Sequence, residues 1–309
     1  MATDPLCVGI DIGGSKIAAG VVDDTGRVTA RGQVPTPASA GRRVVIGAAV
    51  RLVDELVGGR AVDGVGIGSA GVIGTDGRVA AATDLLTDWA GTQLVDGFQD
   101  QLPGRPQVVA VNDVHAHGVA EARYGAGVDH RCVLLLAVGT GLGGAVVEDG
   151  RPARGAHGAA GHVGHVDSVD AGDLPCSCGR TGHLEAIASG YGLLQLYREL
   201  GGAPQVTGAR EIIARVDVDP VAVEAARRSA RALGRGIGNL INVTDPGIVV
   251  ISGGVGQAGE FWWDEVRAAA RGAAMPLLAD TVLVPASLGA DAGLIGAARL
   301  AHDRLRTRS

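Results

Sequence analysis

The chain has 309 residues, room for two domains of ordinary size, with 46% hydrophobic and 19% charged residues. That supply of apolar side chains excludes a disordered chain, and the 51 glycines, which follow no collagen period, point to many tight turns and close backbone approaches. A net charge of −6 offers no basic field for nucleic acid or an anionic membrane.

The opening MATDPLCVGID has neither a basic stretch nor a long apolar core, so it does not read as a secretory signal. Residues 6–10 read as a strand, 11–16 as a turn and 17–22 as a second strand. A turn at 23–26 leads to an alternating strand at 27–34. Helical spacing of apolar residues follows at 41–57, then strands at 62–68 and 107–111. Residues 114–124 read as a helix that Asn112-Asp113 can cap. The opening pattern then recurs, with an apolar run at 132–138, a glycine-rich turn at 139–144 and a short strand at 145–147, which suggests a duplicated architecture. The longest apolar run, 133–138, falls far short of the roughly 20 residues of a membrane helix. Residues 155–182 lack periodicity and read as a structured loop. Helices are expected at 219–241, 260–274 and 290–305, and strands at 248–252 and 282–284. Strands alternating with helices make the class α/β, with a domain boundary near residue 115. The expected location is the cytoplasm, where the four cysteines are free or metal-bound rather than paired.

Three clusters carry chemistry. The first is the pair of hairpin turns, Asp11-Ile12-Gly13-Gly14-Ser15-Lys16 and Gly139-Thr140-Gly141-Leu142-Gly143-Gly144. The second turn matches G-x-G-x-x-G but opens no helix, and no G-x-x-x-x-G-K-[ST] occurs, so neither dinucleotide-binding motif applies. Glycines let backbone N–H groups crowd against phosphate oxygens, and Ser15 and Thr140 add hydroxyl donors. Either these are ordinary turns or they grip one polyphosphate, with Asp11 holding the water shell of a bridging Mg²⁺ rather than closing an Asx turn. Lys16 is the sole lysine and Asn112 one of three asparagines, in a composition that avoids both types. The second cluster, Asn112-Asp113, is either a helix cap or a general base beside an amide that orients an attacking alcohol. The third is His165, Cys176, Cys178 and His183. Two thiolates and two imidazoles suit a closed, structural Zn²⁺, although C-x-C is tighter than the common spacing and free thiols are the alternative.

Together these residues resemble the ROK family of sugar kinases and repressors. Its D-x-G-G-T-K motif is matched at 11–16, with Ser15 for Thr. Asn112-Asp113, Gly139-Thr140-Gly141, Ala160-Gly161-x-Val163-Gly164-His165, C-x-C-G-x-x-G, Ile251-Ser252-Gly253-Gly254 and the Asp291–Ala298 segment follow in the family's order. The resemblance implies an actin/hexokinase-type fold of two ribonuclease-H-like domains: residues 1–115 with 292–309, and 116–291 with the zinc loop. It implies an ATP-dependent sugar kinase, in which Asp113 is the catalytic base and Asn112, His165 and Glu185 bind the sugar. Both hairpins would bind ATP phosphates, Gly253 and Gly254 would lie by the adenosine, and His165, Cys176, Cys178 and His183 would hold zinc. The family also implies a homodimer, and leaves the donor open between ATP and polyphosphate. His162 stands where the family's glucose kinases carry Glu. A His there is similar to its N-acetylmannosamine kinases, so N-acetylmannosamine is the expected substrate and glucose the alternative. A sugar-sensing repressor fits poorly, since only ten residues precede Asp11 and the net charge is negative.

Overall fold

The computed structural model describes residues 5–83 and 85–307. Residues 1–4 of the opening lie outside the described residues. In chain order the elements are β1 (Cys7–Ile12), β2 (Lys16–Val22), β3 (Val28–Pro35), α1 (Arg42–Val57), β4 (Gly64–Ser69), β5 (Val72–Ile73) and β6 (Val79–Ala81). Then come α2 (Leu94–Gln99), β7 (Gln107–Asn112), α3 (Asp113–Tyr124), β8 (Cys132–Val138), β9 (Leu142–Glu148) and β10 (Arg151–Pro152). The rest of the chain forms α4 (Glu185–Ala188), α5 (Gly190–Glu199), α6 (Ala209–Ile213), α7 (Pro220–Thr244), β11 (Ile248–Ser252), α8 (Glu260–Ala273), β12 (Leu283–Pro285) and α9 (Ala292–Arg306). No helix among the described residues is long and apolar enough to cross a membrane.

The chain forms two compact units. The first comprises the chain up to Asp129, Val147–Ala160 and the chain from Ser287 on; the second comprises His130–Val146 and Gly161–Ala286. In the first unit a sheet runs in the order β3-β2-β1-β4-β7. β1 pairs antiparallel with β2 and parallel with β4, and β7 continues the parallel half. Valine and isoleucine of the central strands pack with Val45, Val53, Trp89 and Phe98 into one core. Gly9 and Gly66 are dictated by α9, which crosses these strands at backbone contact. A Cβ on Gly9 would lie 1.8 Å from the carbonyl oxygen of Leu294, and one on Gly66 would lie 1.7 Å from that of Ala297.

A second sheet has the order β10-β9-β8-β11-β12, with β11 parallel to both β8 and β12. The second unit's core gathers Leu134, Leu136, Leu184, Tyr197, Ile237, Trp262 and Val266 around it. Strand order and sense repeat between the sheets, so the recurring hairpin of the sequence reflects a repeated ribonuclease-H-like topology. The protein has the actin/hexokinase-type fold.

Three local expectations are corrected. Asp11 is not in a turn: its backbone pairs with Ala18 and Gly68 inside β1, and the bend is confined to residues 13–15. β9 begins at Leu142 rather than at residue 145, because its glycines sit in the strand, where Gly144 leaves space for the backbone of Gly161. Residues 185–213, in which no element was expected, form α4, α5 and α6. The unpatterned 155–182 segment holds a single turn of 3₁₀ helix, Val163–His165, and two isolated bridges, Asp167 with His183 and Pro175 with Thr181.

Candidate functional site

In the first unit the chemistry sits at the ends of β1 and β7. The turn after β1 closes with the Gly13 N–H donating to the Lys16 carbonyl at 3.1 Å. Thr36 braces it, its hydroxyl donating to the Gly13 carbonyl at 2.7 Å. Gly14 lies between Gly13 and Ser15, and the side chains of Ser15 and Lys16 are exposed. One strand inward, the carboxyl of Asp11 is pushed up to about 6 from 3.8, by burial first and then by the Asp113 carboxylate, with Lys16 pulling the other way. Burial disfavours the ionised form and a like charge adds to that. Such a carboxylate gains from a nearby cation, which suits the expected role of holding the water shell of Mg²⁺.

The junction at 112–113 is a helix cap, as one of the two sequence readings has it. Asn112 is the N-cap of α3: its Oδ1 accepts from the Val114 N–H at 2.9 Å, and its Nδ2 donates to the Gly71 carbonyl at 2.9 Å. Its amide therefore has one N–H left for an alcohol. Asp113 is the first helical residue; its Oδ1 shares the Val114 N–H at 2.9 Å. A carboxylate at a helix N-terminus is stabilised as an anion, and the second oxygen of Asp113 has no role in that bond.

In the second unit the turn Gly139-Thr140-Gly141 is held from two sides. The N–H groups of Gly190 and Tyr191, at the start of α5, donate to the carbonyls of Gly139 and Thr140 at 2.8 and 3.1 Å. Ser189 caps that helix by accepting from the Gly192 N–H at 3.0 Å. On the other side, Glu185 Oε2 accepts from the Leu142 N–H at 2.8 Å. Beside the turn opens a cavity of about 440 Å³ lined by Gly139, Thr140, Tyr191, Thr207, Arg210 and Gly254, among others. Gly254 borders it. Gly253 holds the bend that follows β11, with φ of +92° and the Val138 carbonyl oxygen 2.3 Å from where a Cβ would stand.

His165, Cys176, Cys178 and His183 converge, with one donor atom from each lying within 4.8 Å of the others. Cys176 Sγ is 3.6 Å from His165 Nδ1, and Cys178 Sγ is 3.3 Å from His183 Nδ1. Tetrahedral zinc with sulfur at about 2.3 Å and nitrogen at about 2.0 Å has edges of about 3.3–3.8 Å, and these two pairs lie at that spacing, so the cluster suggests such a site. Burial lowers the pKa of His165, against the pull of Glu185, favouring the neutral imidazole that a metal needs. Burial raises the pKa of Cys176. The ring of His162 stacks on that of His165, centroids 6.2 Å apart. His162 immediately precedes the 3₁₀ turn that delivers His165.

Each unit thus gathers its own share of the expected residues. Asp11, Asn112 and Asp113 meet in the first. His162, His165, Glu185 and the Gly139–Gly141 turn meet in the second. The sequence reading missed Tyr191, Thr207 and Arg210 of the cavity and the α5 cap. Ser189 before the apolar spacing of 190–197 was a helix-start signal that would have found the cap.

A ROK family model matches residues 7–304. The glucokinase of Streptomyces coelicolor is 34% identical over 318 aligned positions, covering 96% of this chain and 98% of its own. The N-acetylmannosamine kinase of Citrobacter koseri is 37% identical, covering 95% of this chain and 97% of its own. The ROK family glucokinase from Streptomyces griseus, solved in complex with glucose and AMPPNP, superposes with a TM-score of 0.80 at 33% identity, over 96% of this chain and 99% of its own. The chain belongs to the ROK family and is an ATP-dependent sugar kinase of that family.

Proposed function

We propose that this kinase phosphorylates the 6-hydroxyl of N-acetylmannosamine. The observation that carries the choice is His162. A Glu at that position accepts hydrogen bonds from two sugar hydroxyls, whereas a neutral imidazole accepts one and donates one. A 2-acetamido sugar has lost a hydroxyl and gained a carbonyl acceptor, so the imidazole N–H has a partner where a carboxylate would face acceptor with acceptor. The 37% identity to the Citrobacter koseri enzyme supports the same reading.

The proposed mechanism is in-line transfer to the sugar oxygen. Asp113 accepts the proton of the attacking hydroxyl, and the remaining N–H of Asn112 orients it. His162, His165 and Glu185 bind the sugar. Gly13, Gly14, Ser15 and Lys16 from one hairpin and Gly139, Thr140 and Gly141 from the other hold phosphate oxygens. Gly254 borders the adenosine, with Gly253 setting the bend. Magnesium, when bound, offsets phosphate charge, and Asp11 holds its water shell. His165, Cys176, Cys178 and His183 would hold a structural Zn²⁺, which would order the 155–182 segment.

Glucose is the second reading, favoured by the 34% identity to the Streptomyces coelicolor glucokinase. A coupled assay across N-acetylmannosamine, N-acetylglucosamine, mannose and glucose, with ATP and with polyphosphate as donor, decides. The highest kcat/KM for N-acetylmannosamine with ATP supports the proposal. A preference for glucose overturns the substrate and leaves the kinase assignment standing.

A further inference from the structure

Ser177 stands between Cys176 and Cys178, and no role falls to it from the metal-ligand pattern. Its hydroxyl donates to Glu185 Oε1 at 2.6 Å, a short bond to a carboxylate. The other oxygen of Glu185 accepts the Leu142 N–H at 2.8 Å. Leu142 is the first residue of β9, directly after Gly139-Thr140-Gly141. Glu185 Oε2 also lies only 2.8 Å from where a Cβ on Gly141 would stand, so the carboxylate is pressed against the turn. On its far side the turn is fixed by backbone bonds to α5. On its near side it is fixed by this side-chain relay, which begins inside the cysteine loop.

We propose that Ser177 is a positioning residue for the phosphate donor. Through Glu185 it sets the shape of the Gly139–Gly141 turn, and so ties that turn's grip on phosphate to the order of the four-donor loop. The proposal rests on the assignment of that turn to phosphate. The chemistry requires a hydroxyl at 177. Without it, Glu185 keeps the Leu142 N–H on Oε2 and only the long, weak Cys176 thiol contact of 3.8 Å on Oε1, and gains freedom to swing. The turn, rich in glycine, then loses the tether that selects one conformation. A bound metal would hold Cys176 and Cys178, and with them the residue between.

The test uses the full chain and measures binding of a non-hydrolysable ATP analogue by calorimetry, beside steady-state kinetics. Ser177→Ala is expected to weaken analogue binding by at least about threefold, the scale of one charge-assisted bond partly compensated by water. The KM for ATP rises with it while the metal content stays within about twofold of wild type; because Glu185 is also assigned to the sugar, the sugar KM rises too, and analogue binding measured without sugar reads the turn alone. Ser177→Thr, which keeps the hydroxyl, restores binding. Removing the metal from the wild type weakens the analogue by a similar factor and adds little to Ser177→Ala, since both act through one relay. Unchanged analogue binding in Ser177→Ala, measured without sugar, overturns the relay, as does a failure of Thr to rescue. An equal effect of metal removal on both proteins overturns the tie to the loop. A wild type that binds sugar but no analogue overturns the phosphate assignment itself, and the relay with it.

Discussion

Replacing Asp11 with Asn should make the ligand-free protein more stable and the enzyme worse. The carboxyl titrates near 6 in the folded chain against 3.8 for an unperturbed group. The native state therefore holds that proton more tightly than the unfolded state does. Stability is fully present below about pH 4, falls as pH rises through the window from about 4 to 6, and levels off above it. A difference of about two pH units corresponds to about 3 kcal/mol of cost once the group is ionised. Its sources are the burial of Asp11 and the charge of Asp113. Asn has the same shape and no charge, so Asp11→Asn should recover up to about 3 kcal/mol at pH 7.5 and almost nothing at pH 4. Losing the anion that faces the cation should also lower kcat/KM with Mg–ATP by at least about tenfold. Urea unfolding of both proteins at the two pH values, without metal or nucleotide, measures the first effect, and steady-state kinetics the second. A variant no more stable than wild type at pH 7.5, or one with the same gain at both pH values, would refute the reasoning.

Asp113→Asn should lower kcat by about 10²–10⁴, the usual cost of losing a general base, with an unchanged melting temperature because Asn112 keeps the cap. A variant retaining a third of wild-type kcat would reduce Asp113 to a helix-end residue. Metal analysis should find about one zinc per chain, and Cys178→Ser should lose it together with activity, as a closed four-ligand site requires. A metal-free, fully active wild type contradicts this. His162→Glu should move the ratio of kcat/KM from N-acetylmannosamine toward glucose by at least about tenfold, the scale of one buried polar group left unpaired. A ratio that does not move removes His162 from specificity.

The sequence made the candidate site's residue types legible and left their structural supports hidden. Asp11, Asp113, the two glycine turns and the His/Cys set stand in short motifs whose spacing carries the chemistry. The duplicated sheets were legible for a similar reason: an apolar run, a glycine turn and a second strand recur at 6–22 and 132–148. The supports join residues with no periodic relation. Ser177 meets Glu185 across eight residues of irregular chain, and Glu185 meets Leu142 across 43. The α5 backbone reaches the Gly139 and Thr140 carbonyls from 51 residues on. No hydrophobic period encodes such contacts, which is why 185–213 gave no reading although Ser189 and the apolar residues behind it form an ordinary capped helix. Glycine misled in the other direction. Gly143 and Gly144 suggested a longer turn, but they lie within β9.

The environment of Asp11 shows how far a catalytic property can depend on distant chain. Its burial is completed by α9, whose Gly293 would bring a Cβ to 3.2 Å from the Asp11 carboxyl. That helix can lie so close because Gly9 and Gly66 present bare backbone to the carbonyls of Leu294 and Ala297. The same approach that packs α9 on β1 and β4 removes water from the carboxylate and raises its proton affinity. A sheet with alanine at 9 and 66 would hold the helix further away and give Asp11 a more ordinary acidity. It would lose the poorly solvated charge that makes a cation welcome there. If Asp11 holds the Mg²⁺ water shell as proposed, fold stability and cation binding are set against each other at one residue, and the glycines of β1 and β4 tip the balance toward the ion.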